Sequence, residues 1–106
     1  MFRRLVAAAI VMLASPATAR SVDAKFIGSV DLQQFRCTET VSSFVHRICY
    51  DAAESRVIVL LRETFYQYCD VDPGTVAAWL SAESKGRFYN QNIKSNAVDG
   101  RFACND

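Results

Sequence analysis

The spacing of apolar residues along the chain changes twice. Residues 1–19 read MFRRLVAAAIVMLASPATA, with an unbroken apolar run from Leu5 to Ala14 behind Arg3 and Arg4. Residues 20–36 alternate only loosely through Val30, Leu32 and Phe35. That permits one short strand in what otherwise reads as a flexible lead-in. From Val41 the pattern sharpens. Phe44, His46, Ile48 and Tyr50 fall on one side of an extended segment, with Val45, Arg47 and Cys49 on the other, which predicts a strand. Asp51 to Ser55 reads as a turn. Arg56 to Leu61 is apolar on both faces, which predicts a central strand covered on each side. Arg62-Glu63-Thr64 turns the chain, and the aromatic run Phe65 to Cys69 predicts a third strand. Such short connections imply antiparallel pairing.

The period then becomes helical. Asp72-Pro73 supplies an N-cap and a proline at the first helical position. Val76, Trp79, Leu80 and Glu83 follow at helical spacing, and Gly86 is placed to stop the helix. A second helical stretch, Phe88 to Lys94, puts Tyr89 and Ile93 on one side. After a loop, Arg101 to Cys104 returns to be tied down. The predicted fold is α+β: a three-stranded antiparallel β-meander followed by one or two C-terminal helices packed on one face.

Composition bears mainly on location. The 106 residues are 51% hydrophobic, and 12 Lys+Arg against 11 Asp+Glu leave one net positive charge. That length excludes a two-domain enzyme, and the balance excludes a broadly basic nucleic-acid coat. Arg3 and Arg4, the apolar run, Pro16 and Ala17-Thr18-Ala19 are the three parts of an export signal cleaved after Ala19. The apolar run is shorter than the roughly 20 residues of a spanning helix. The competing reading is a short anchor that is retained. Cleavage leaves 87 residues with 10 basic and 11 acidic side chains, hence a net charge of −1. The expected location is exported, either periplasmic or secreted, with no stable membrane span after cleavage.

Cys37, Cys49, Cys69 and Cys104 all lie beyond that signal. An even count in a short exported chain predicts two disulfides, which a small core needs. The wide cysteine spacing and the single His46 argue against zinc. Four cysteines allow three pairings. The favoured pattern is Cys37–Cys104, tying the tails together, with Cys49–Cys69 at one end of the meander. It requires the third strand to curl past the sheet's end, because two strand spacings, near 9–10 Å, exceed the reach of a disulfide, about 7 Å. Without that curl, the expected pairs are Cys37–Cys49 and Cys69–Cys104.

From Val41 to Lys94 the chain resembles the KTSC domain family, a module of about sixty residues found alone in bacterial proteins and at the C-terminus of some lysyl-tRNA synthetases. The motifs run in order. Val41-Ser42-Ser43 opens the domain, and Ile48-Cys49-Tyr50-Asp51 stands where the family has I-G-Y-D. Val57, Val59 and Leu61 fill L-x-V-x-F, Tyr66-Gln67-Tyr68 is the Y-x-Y, and Val71-Asp72-Pro73 is close to V-P. Ala82 to Gly86 matches A-x-S-x-G, and Phe88 to Lys94 matches Y-F-N-x-x-I-K. Cys49 in place of glycine suggests an exported, disulfide-bearing branch. The family continues I-K-x-x-Y, whereas here Ser95 to Gly100 intervenes, and Phe102 takes the aromatic's part. The resulting division is a signal over 1–19, an N-terminal extension over 20–40 and a KTSC-like domain over 41–104.

Candidate sites fall into two groups. Tyr66 and Tyr68 share one face of a strand, either as a stacking platform or as core packing with hydroxyls at the rim. Lys85, Arg87 and Lys94, with Arg101, form the basic group, opposed by Asp99 and interleaved with Phe88, Tyr89 and Asn90. It suits a phosphate or carboxylate, or is a solvated helix face. Asn90 suits bridging of backbone groups. His46 has no nucleophile at workable spacing, and Asp70 with Asp72 are too few carboxylates for calcium. No cofactor, metal or catalytic residue is expected. The resemblance implies a small non-catalytic binding module whose ligand is unnamed, with a partner in the envelope or outside the cell. The rivals are RNA binding, implied by the synthetase association and disfavoured by export, and a small envelope hydrolase.

Overall fold

The computed structural model describes residues 21–98 and 100–104, so the export signal expected over residues 1–19 lies outside the described residues. Six strands form one mixed sheet: β1 (Ser21–Ala24), β2 (Gly28–Asp31), β3 (Arg36–Glu39), β4 (Val45–Asp51), β5 (Arg56–Leu61) and β6 (Thr64–Tyr68), in the spatial order β2-β1-β6-β5-β4-β3. The expected meander is its middle, β4-β5-β6, antiparallel throughout. The three-stranded sheet is therefore corrected to six. β3 adds to β4, and the β1–β2 hairpin adds to β6 by a parallel pairing at Ala24 and Phe65. The flexible lead-in is corrected with it, since residues 21–39 supply three of the strands.

β5 occupies the centre because it is apolar on both sides. Val57, Ile58 and Val59 are all fully buried, each worth about 1.5–3 kcal/mol of apolar burial. Val57 and Val59 face the helices, and Ile58 faces the opposite side, where it lies between Cys49 and Gln67. β4 departs from simple alternation. Its register slips between Val45 and Arg47, leaving His46 as a bulge. The extra residue shifts the phase by one, so Val45 joins Ile48 in the helix-side core rather than sharing a side with Cys49.

The first helix, α1 (Pro73–Ser81), starts as expected: Asp72 accepts from the Thr75 N–H at 3.0 Å, with Pro73 following. It ends before Gly86. Ala82 is extended and its N–H donates to Trp79 O. The second helix covers residues 85–98 as α2 (Lys85–Phe88), a π-helical stretch (Tyr89–Lys94) and α3 (Ser95–Val98). Gly86 lies inside α2 and is buried, so its predicted role as a stop is corrected. A Cβ there would sit 2.5 Å from Phe44 Cε1, so glycine is required for close packing.

Both helices lie on one face, where Trp79, Tyr89, Ile93 and Phe102 pack on Val45, Ile48, Val57 and Val59. Phe102 is 1% exposed and belongs to this core. On the other face Ala24, Val30 and Leu32 cover Cys49 and Ile58. The loop from β2 to β3 joins opposite edges of the sheet. Five strand spacings are about 24 Å when flat, and five residues reach about 17 Å. The sheet must curl around this second cluster, drawing its two edges together.

The disulfides are Cys37–Cys49 and Cys69–Cys104. The favoured pairing is therefore corrected, and the reason is strand order. β5 separates Cys49 from β6, whereas Cys37 stands directly opposite Cys49 in the β3–β4 ladder. Cys69 instead meets the returning tail, where its N–H donates to Phe102 O at 2.9 Å.

Candidate functional site

Four of the expected site residues line one cleft. Tyr66 and Tyr68 point from β6 to the helix side, and Asn90 and Lys94 come from the π-helical stretch above them. The cleft encloses about 560 Å³ and is completed by Phe44, Leu61, Arg62, Thr64 and Tyr89. Its floor is rigid. The Tyr68 and Tyr89 hydroxyls share a hydrogen bond, and their rings meet edge to face at 6.0 Å. Phe44 meets Tyr89 edge to face at 6.2 Å, and Trp79 stacks beneath Tyr89 at 6.0 Å. The π-helical geometry fits this arrangement, since Tyr89 and Ile93 both reach the core while Asn90 and Lys94 stay exposed.

The rim is cationic. Arg62 begins the two-residue hairpin between β5 and β6, takes φ 56°, and donates its N–H to Phe44 O at 2.8 Å. That conformation holds its guanidinium 5.5 Å from the Phe44 ring centre. Lys25, just beyond β1, places Nζ 5.7 Å from the Tyr66 ring centre. Lys94 faces in from the helix. Among the described residues that line the cleft, Arg62 and Lys94 are the charged ones and no carboxylate joins them. Burial first, then the hydrogen bond to Tyr89, pushes the Tyr68 phenol far above its ordinary 10.0. Burial also raises Tyr89, and its bond to Tyr68 works against that rise. Both phenols stay protonated near neutrality and serve as hydrogen-bond groups rather than bases.

The remaining candidates lie elsewhere. Lys85 donates Nζ to Ala82 O at 2.6 Å, closing the end of α1, and its carbonyl accepts from Trp79 Nε1. Arg87 is exposed on α2, with its N–H on the N-cap Ser84. Arg101 lies against Phe102 and beside Asp72, at the start of α1. Lys85 and Arg101 thus stand at opposite ends of α1, and Lys94 alone of the basic group reaches the tyrosines. Asp70 is exposed at φ 58°, and Asp72 is engaged as a cap. Phe44, Arg62 and Lys25 were not legible as site residues. Phe44 read as strand, Arg62 as turn, and Lys25 lay in the lead-in.

A sequence model of the KTSC domain matches residues 41–96. A crystal structure of a KTSC domain protein from Yersinia pestis is 32% identical and superposes with a TM-score of 0.58, covering 68% of this chain and 96% of that one. Comparison with curated proteins gives no match. The chain belongs to the KTSC domain family. The matched segment contains the whole meander and α1, and Tyr66, Tyr68, Asn90 and Lys94 all fall within it.

Proposed function

We propose that the protein is an exported, non-catalytic binding module that holds an anionic group in the cleft between β6 and the π-helical stretch. The observation that carries this is the lining itself. Arg62 and Lys94 flank Tyr66, Tyr68 and Tyr89 with no carboxylate among the described lining residues. An anion gains a charge-assisted hydrogen bond from either cation, and an apolar or planar body attached to it lies on Tyr66 and Phe44. Export is supported by the two disulfides, and no helix among the described residues is long and apolar enough to cross a membrane. Binding is favoured over hydrolysis because the described residues lining the cleft include no carboxylate, imidazole or thiol.

The test is an amide-resolved NMR titration with three probes: inorganic phosphate, a glutamate-rich pentapeptide and a single-stranded RNA hexamer. At least one should give saturable shifts at Tyr66, Asn90 and Lys94. Lys94→Glu should abolish them, and Arg87→Glu, outside the cleft, should not. A response confined to RNA, falling steeply with salt, would move the reading to nucleic-acid binding. Silence at the cleft with all three probes would sink it. Intact mass of the protein recovered from the periplasm or medium tests export, and a mass that retains residues 1–19 would overturn it.

A further inference from the structure

β3 is one of the two outer strands of the sheet, and all four of its residues are exposed. The curl brings β2 toward β3, yet no ladder forms between them. Two observations fix which backbone groups of β3 point outward. Cys37 and Cys49 stand opposite each other with Cα atoms 3.9 Å apart, the close approach of a non-hydrogen-bonded antiparallel pair. Further along, Thr40 donates its N–H to His46 O at 3.1 Å, so the even-numbered residues are the ones bonded to β4. The N–H and C=O groups of Cys37 and Glu39 therefore face away from the sheet. An added strand pairs with such groups.

Behind this edge lies a groove. The helix-side core rests on β4 and β5 and includes no residue of β3. β3 thus projects past α1 and leaves a step of about 370 Å³. Arg36 and Thr38 bound it on β3, Tyr50 on β4, Ala52 and Ala53 in the turn, and Leu80 on α1. Tyr50 donates its hydroxyl to Val71 O at 2.6 Å, so its ring is what it presents. Asp51, also in the lining, is 2% exposed and already engaged by Arg56 and by the Ala53 and Glu54 N–H groups. Arg36 is exposed and forms no ion pair among the described residues. The groove therefore offers an apolar surface with one cation at its rim.

Edge and groove together define an occupant. Cys37 and Glu39 present donor–acceptor pairs two residues apart, a spacing that extended backbone matches. A strand paired there carries alternate side chains on the groove side, beside Arg36 and Thr38. Apolar ones cover Tyr50, Ala52 and Leu80, and an acidic one meets Arg36. A second copy of the chain fits poorly. Pairing β3 with itself about a two-fold axis brings a further Arg36 and Thr38 to the apolar groove. We propose that β3 is a docking edge for an extended, antiparallel peptide segment of a partner protein, with apolar residues at alternate positions and an acid among them. It is independent of the anionic cleft, which opens at β6, beyond β4 and β5.

The experiment is an NMR titration of the purified protein with a blocked hexapeptide. Threonine occupies its odd positions, and leucine, leucine and glutamate its even ones. The Cys37 and Glu39 amides and the Leu80 methyl groups should shift and saturate. N-methylation of the threonines removes the donors that an antiparallel strand aims at β3, and should abolish those shifts. Glu39→Pro removes an outward N–H and leaves the bonds to β4 in place, since an edge strand tolerates proline where the N–H faces solvent. It should also abolish binding. Arg36→Glu, at an exposed position, should weaken binding about fivefold. Silence at Cys37 and Glu39, shifts confined to Tyr66 and Asn90, equal affinity for the methylated peptide, or unchanged affinity in both variants would each overturn the proposal. Concentration-dependent shifts of the same amides in the free protein would overturn it in favour of a second copy.

Discussion

The helix-bearing face of the sheet buries Trp79, Tyr89, Ile93 and Phe102, whereas the opposite face is closed by Ala24, Val30 and Leu32. The first is large, aromatic and built almost wholly from the segment that matches the family, residues 41–96. The second is small and aliphatic, and its cover comes from residues before Val41. Each disulfide joins one cysteine inside that segment to one outside it. The difference separates two tasks. Packing within the matched segment holds most of the helix side, and Phe102 is added to it by a tail that Cys69–Cys104 ties down. The extension adds little apolar area and is stapled by Cys37–Cys49.

The sharpest break of this contrast is Trp79→Ala. It should cost about 3–5 kcal/mol and unfold both faces together, because the sheet has no other support of that size. Urea unfolding followed by far-UV circular dichroism checks it. Next come the bridges. Removing Cys69 and Cys104 together should cost about 4 kcal/mol, and removing Cys37 and Cys49 about 3 kcal/mol, following the lengths of the closed loops. In the second variant the residues of the helix face should keep their slow hydrogen exchange while β3 loses protection. Leu32→Ala should cost about 2 kcal/mol and leave the anionic cleft intact, as judged by the Lys94 and Tyr66 amide shifts.

The smallest expected effects are in pH. The folded Tyr68 and Tyr89 phenols are raised, so their neutral forms are favoured by folding. Their contribution is complete below the ordinary phenol value of 10.0 and is lost as pH rises above it, where the unfolded chain ionises first. Tyr68→Phe should flatten that alkaline slope in thermal melts. At the acid end, hydrogen bonds from the Thr75 hydroxyl and then its N–H hold Asp72 below its ordinary 3.8. Its contribution is present above that value and fades as pH falls toward the folded one. Asp72→Asn should keep the cap while removing this acid dependence.

The meander, the Asp72 cap and the inward pair Tyr89 and Ile93 were legible in the sequence because each is a local pattern. Periods of two and 3.6 residues need no knowledge of distant partners. β3 was not legible. Arg36-Cys37-Thr38-Glu39 is exposed throughout, and only its pairing with β4 makes it a strand. The His46 bulge leaves no mark on composition. The role of Gly86 depends on a ring 42 positions earlier in the chain, at Phe44. The cysteine pairing depended on strand order, which spacing does not give. In the candidate site, Tyr66, Tyr68, Asn90 and Lys94 were readable as chemistry. Arg62 was hidden because a turn residue shows its function only when its backbone conformation aims the side chain.

The bridges also carry a consequence for how the molecule is made. They join the first cysteine to the second and the third to the fourth. In a chain threaded through a membrane N-terminus first, an oxidant that couples each thiol to the next one to emerge forms native bonds in order. Cys37–Cys49 can close while Cys69 is still inside, and Cys69–Cys104 then has no competitor. Oxidative maturation on that route needs an oxidase and no isomerase, so loss of the isomerase from the host should leave the yield of the protein unchanged.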